Sequence, residues 1–164
     1  MYTRSIPVFT HFLTALGQVL AKADAHCTQN GIAPEALLEF RLFPDMFPLR
    51  RQVQLTCDFA TRGADRLAGV EVSSFPDTET GFADLQARIA AARAHLATFS
   101  EDQFEGAGER LITITLRTGE MTMDGERFLT SYAMPQFHFH ATTAYNILRH
   151  NGVVLGKRDY MGVA

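Results

Sequence analysis

His140 and Gln52 are the polar side chains most clearly set on otherwise apolar helical faces. Phe137, Ala141, Ala144, Ile147 and Leu148 share one face of a helical pattern. With a turn of about 100° per residue, His140 lies about 40° from the centre of that face at Ala144, and His138 roughly 120° away. These two histidines therefore cannot ligate a metal from one helical face. Helical pairs of that kind stand four apart, as in H-x-x-x-H, and the position one turn before His140 is Gln136. On an earlier helical pattern centred on Thr56, Gln52 falls about 40° off centre among Leu49, Val53 and Ala60, while Gln54 and Asp58 point away. Gln52 and His140 each need a hydrogen-bond partner if buried. Either they satisfy each other, a carbonyl or a water, or they line a ligand pocket between helices.

The remaining chemistry-bearing residues read as structural. His11 faces outward, His26 and His95 sit on face edges, and His150 lies in a last turn, where an imidazole suits the helix dipole. Glu79 and Glu120 fall in loops, with nothing in the sequence to pair them with another carboxylate. Cys27 and Cys57 form no C-x-x-C pair and read as reduced, buried thiols of a cytoplasmic protein. The chain contains no P-loop, G-x-S-x-G, G-x-G-x-x-G or H-E-x-x-H.

Four amphipathic helices must position these residues, at 5–28, 48–68, 80–99 and 135–151. In the first, Phe9, Phe12, Leu13, Leu16, Leu20, Ala23 and Cys27 share a face, Ser5 reads as the N-cap with Pro7 in the first turn, and Asn30-Gly31 ends the helix. Thr10, His11, Thr14 and Gln18 interrupt the apolar run at helical spacing, which favours an amphipathic helix over a signal peptide. In the second, Leu49, Val53, Thr56, Ala60, Gly63 and Leu67 repeat in steps of four and three, and Gly69 stops it. In the third, Phe82, Leu85, Ile89, Ala92, Leu96 and Phe99 form a strict heptad series, capped by Thr80. Gly152 closes the fourth.

Between them, Pro34 opens a short helix carrying Leu37 and Leu38. The stretch Leu42 to Pro48 cannot be a continuous helix and reads as an ordered loop with buried aromatics. Ile112, Ile114 and Leu116 alternate with threonines, the period of a half-buried strand. A hairpin is therefore expected over 110–124, followed by a short helix carrying Phe128 and Tyr132. The tail from Val153 to Ala164 has too little periodicity for an independent element.

The 164 residues are enough for one domain, 1–164, and at this length roughly 70% of the unfolded surface can be buried without a metal or disulfide. Hydrophobic residues make up 46% and charged residues 20%, with a net charge of −3, so no basic face suits a nucleic acid. No apolar run approaches the ~18 residues of a membrane span.

The run Pro135-Gln136-Phe137-His138-Phe139-His140-Ala141-Thr142-Thr143-Ala144-Tyr145-Asn146-Ile147-Leu148-Arg149-His150-Asn151-Gly152-Val153, followed by Gly156-Lys157-Arg158-Asp159-Tyr160, resembles an uncharacterised bacterial family grouped with the DinB/YfiT-like four-helix bundles. Gln52-Val53-Gln54 and Arg66-Leu67-Ala68-Gly69-Val70-Glu71 look similar too. The resemblance implies an all-α antiparallel four-helix bundle, here with a small hairpin between the third and fourth helices. It also implies a superfamily of metalloenzymes, some of them thiol-dependent transferases or isomerases. Their metal site takes one histidine from the second helix and an H-x-x-x-H from the fourth. His140 matches the second histidine of that pair, Gln136 stands where the first belongs, and Gln52 is the match on the second helix.

Neutral amides are poor zinc ligands beside imidazole or thiolate. The expectation is thus a degenerate metal site, no cofactor, and a small-molecule ligand at Gln52, Thr56, Gln136 and His140. The alternatives are a transferase or isomerase using a divalent metal such as zinc or nickel, and a non-catalytic interaction module. The outward Phe139 motivates a homodimer.

Overall fold

The computed structural model describes residues 1–163; Ala164, the end of the tail segment, lies outside the described residues. The chain is mostly helical with one two-stranded antiparallel hairpin. Four helices carry fifteen residues or more: α1 (Tyr2–Asn30), α3 (Leu49–Ala68), α4 (Phe82–Leu96) and α6 (Met134–His150). Two short helices, α2 (Pro34–Leu38) and α5 (Gly125–Phe128), lie between them, and a third, α7 (Lys157–Met161), follows α6. α3 packs chiefly on α6 and α4, and α1 on α4 and α7.

The apolar stripes behave as their spacing predicts: Phe9, Leu13, Leu20 and Ala23 of α1, Leu49, Val53 and Ala60 of α3, and Phe137, Ala144 and Ile147 of α6 are fully buried. α1 nevertheless starts before its expected cap. Ser5 is buried inside the helix, donating to the carbonyls of Met1 and Tyr2. Tyr2 packs edge-on against Phe104 at 5.5 Å, which holds the added turn in place. α4 ends at Leu96, short of Phe99; Gly81 rather than Thr80 is its N-cap, and Asp84 accepts from the backbone N–H groups of both residues.

Three connecting segments differ from expectation. In the proline-rich loop, Leu42, Phe43 and Phe47 are exposed rather than buried. The loop is held by its own backbone, with Met46 N–H donating to Phe43 O and Arg41 to Met46 O, so it does not need those side chains for order. The short helix with Phe128 and Tyr132 is not separate, because α5 runs through a π-helical turn, Leu129–Ala133, directly into α6. The tail forms α7, docked on α1 through Phe12 and Tyr160, whose rings stand 5.5 Å apart. That contact is tertiary and leaves no periodic trace in so short a helix.

The hairpin pairs β1 (Leu111–Leu116) with β2 (Gly119–Asp124), with Ile112 opposite Met123 and Ile114 opposite Met121. Ile112, Ile114 and Met123 turn inward, which matters because a lone two-stranded sheet is marginal in water. Gly125 fastens the hairpin to the helices: a Cβ there would lie 1.8 Å from the carbonyl oxygen of Ala107. Among the described residues, no helix is long and apolar enough to cross a membrane.

Candidate functional site

Gln52 on α3 and His140 on α6 are both buried and face each other across the seam between these helices. The Gln52 amide offers its NH2 to the carbonyl of Phe47 at 3.0 Å. Only the amide group with hydrogens can do this, so its oxygen is the atom facing His140. His140 Nδ1 stands 2.7 Å from Gln52 Oε1 and must therefore donate. The polarity of this chain of bonds sets the tautomer: Nδ1 carries the proton and Nε2 keeps its lone pair. Nε2 has no partner among the described residues and is not sealed from solvent.

Burial, assisted by the charge of Arg51, pushes the His140 pKa down to about 4. The imidazole is thus neutral at physiological pH, an acceptor of fixed orientation. Phe59 stacks on one face of the ring at 5.5 Å, and Phe139 meets it edge-on at 5.2 Å.

Thr56 is buried on the same α3 face, but its hydroxyl donates back to the Gln52 carbonyl one turn earlier. Gln136 is half-buried one turn before His140, and its side chain makes no hydrogen bond among the described residues. The structure thus joins Gln52, Thr56 and His140 by hydrogen bonds and leaves Gln136 outside that chain. Zinc and its neighbours take imidazole, thiolate or carboxylate donors. Among the described residues, no group of three or more His, Cys, Asp or Glu side chains is gathered as such an ion needs. One imidazole with two amides does not fit the metal centre that the resemblance implied.

The outward assignment of Gln54 and Asp58 is overturned, since both are buried. The segment 69–81 straps across this second face of α3, and α4 packs beside it. Arg88 of α4 reaches Asp58 Oδ1 and Glu79 Oε1, each at 2.7 Å, and Asp77 at 3.1 Å, with its side chain only 2% exposed. Gln54 donates to the other Glu79 oxygen at 2.7 Å. Burial alone would raise the Glu79 pKa, but the hydrogen bonds from Arg88 and Gln54 bring it below the usual carboxylate value.

Further along, Asp65 accepts from Ser73 through Oδ2 and from His95 through Oδ1. His95 therefore holds Asp65, which in turn holds the strap at Ser73. The Arg50-Arg51 pair is also engaged, Arg50 with Glu39 and Arg51 with Asp77. His138 is covered by the chain's own α7, with Nδ1 facing the Tyr160 hydroxyl at 3.2 Å. Both cysteines are free and buried, and burial pushes the Cys57 thiol up to about 12.

Beyond Phe59, a cleft of about 180 Å³ opens between α3, the α5–α6 turn and the hairpin. Arg62, Arg66, Tyr132 and Thr115 line it with Phe59 and Phe128. Sequence reading passed over these residues; the i, i+4 spacing of Arg62 and Arg66 was the available signal.

Long helices joined by short ones, with a polar pair across the α3–α6 seam and a hairpin fastened at Gly125, define a DinB-like helical protein. A solved DinB family member protein from Shewanella denitrificans superposes with a TM-score of 0.93 and 38% sequence identity, over 99% of this chain and 92% of that one. The chain belongs to the family described as "Domain of unknown function (DUF1993)", which matches residues 1–161. None of the curated proteins compared matches it.

Proposed function

We propose that this protein is a small-molecule-binding, antiparallel four-helix bundle in which the metal-ligand positions of related proteins have become an amide–imidazole pair, with no resident divalent metal. The observation that carries this reading is the relay from Phe47 through Gln52 to His140. It uses the Nδ1 proton and leaves a neutral Nε2 lone pair as the acceptor for a ligand hydroxyl, amide or thiol. Gln136, half-buried and without a hydrogen bond among the described residues, supplies both a donor and an acceptor one turn away.

The test combines elemental analysis of untagged protein with thermal melts. The expected result is no stoichiometric zinc or nickel and a melting temperature insensitive to EDTA. The His140→Ala variant should lose about 1–3 kcal/mol, the cost of a broken buried hydrogen bond, with or without chelator. A natural-sequence melting temperature that falls with EDTA, while that of the alanine variant does not, overturns the metal-free reading and favours a metal-dependent transferase or isomerase.

A further inference from the structure

The cleft between α3 and the hairpin has a charge imbalance that its own residues do not resolve. Its charged lining residues are Asp58, Arg62 and Arg66. Asp58 is already engaged, holding Arg88 at 2.7 Å and Arg62 at 3.2 Å. Arg66 has no carboxylate partner among the described residues; its guanidinium donates only to the Arg62 carbonyl in its own helix, at 3.2 Å. Burial is the largest influence on the Arg66 pKa and lowers it, outweighing the attraction of Tyr132 and Asp65, which raises it. Arg66 is half-buried, and a partly desolvated guanidinium lining a cleft with no carboxylate bonded to it is suited to bind an anion.

The rest of the lining describes the body of that anion. Phe59 meets the Tyr132 ring edge-on at 6.0 Å, and Tyr132 stacks with Phe128 at 5.8 Å. These three rings form one wall, and Ile114 and Thr115 of the hairpin close the other side. The volume is below the ~300–1,000 Å³ of clefts that hold drug-sized ligands, so the occupant is small. With two arginines against one carboxyl, the excess is a single positive charge. A monoanion neutralises it, whereas a phosphate dianion would bring surplus negative charge beside Asp58. A guanidinium presents its donors as a fork that matches a carboxylate in two parallel bonds.

We infer that this cleft binds a small organic acid, a carboxylate on an apolar ring-sized body, with Arg66 as its anion-binding residue. The inference is independent of the role of His140, which stacks on Phe59 but does not line the cleft.

The test uses sodium phenylacetate as probe, with phenylacetamide and inorganic phosphate as comparisons, by calorimetric or NMR titration at low ionic strength. Phenylacetate should bind saturably at one site, and phenylacetamide and phosphate at least tenfold more weakly. Arg66→Gln, which keeps an amide but removes the charge, should weaken phenylacetate at least tenfold, and its melting temperature without ligand should not fall. Thr115→Trp fills the cleft from the exposed hairpin without changing any α3 residue and should abolish binding; it stands in if the first variant does not fold. Absence of saturable phenylacetate binding, equal binding of the neutral amide or of phosphate, or undiminished binding by both variants overturns the proposal.

Discussion

Gln52 Oε1 and His140 Nδ1 lie 2.7 Å apart across the α3–α6 seam, although 88 positions separate them in the chain. The imidazole proton is committed to the amide, and the ring is held neutral by burial. In the unfolded chain it titrates near 6.5, and in the folded protein at about 4. Between these values the unfolded state binds a proton that the folded state lacks. Stability from this group is therefore complete above pH 6.5, declines as the pH falls through the window, and levels off below about 4. The displacement corresponds to roughly 3 kcal/mol. His138, also lowered by burial, acts in the same direction. Urea midpoints measured across this range should show the decline, and His140→Gln should flatten most of it. An unchanged slope in that variant would remove His140 as its source.

The Arg88 cluster should be costly to break. Asp58 and Glu79 are nearly as buried as the guanidinium between them. Removing one partner of a buried pair leaves an uncompensated charge, typically at about 3–5 kcal/mol. Arg88→Leu is expected to lose that much in chemical denaturation. Arg4→Leu, which breaks only the exposed pair with Glu126, should lose far less, because water screens an exposed pair. Similar losses for the two would show that the cluster is not sealed from water.

Gly125 has no room for a side chain, and the obstacle is backbone rather than a flexible tip. Gly125→Ala must part the start of α5 from Ala107, so its cost belongs at or above the upper end of the ~1–3 kcal/mol usual for overpacking. Helix-weighted circular dichroism should report the lowered melting temperature. Gly108→Ala nearby, with open space around its Cβ position, is the control and should stay near the natural value.

Phe139 is 55% exposed, and its ring adjoins His140, which connects through Gln52 to the exposed Phe47. The outward face of α6 that carries Phe139 is expected to pair two copies. Sedimentation at micromolar concentration should give a dimer that Phe139→Ser shifts toward monomer. A monomer for the natural sequence would rule the dimer out.

Periodicity was enough to place the long helices, the hairpin and the inward positions of Gln52 and His140, because a stripe of apolar residues has to face a core wherever that core lies. It was not enough for the second face of α3. Gln54, Asp58, Thr61 and Asp65 repeat in steps of four, three and four, in register with the apolar stripe, yet polar residues at such spacing ordinarily face water. Gln54, Asp58 and Asp65 are buried because the strap at 69–81 brings Ser73 and Glu79 to them and α4 brings Arg88 and His95. Those partners come from remote parts of the chain, and no local pattern announces them.

The same reason explains α7, which exists by docking Tyr160 on Phe12, and the cleft at Arg66, whose walls come from three separate elements. Local spacing tells which face of a helix can be buried. What a buried polar group meets there depends on which distant segment the folded chain lays against it, and on whether that segment carries the complementary charge or hydrogen bond.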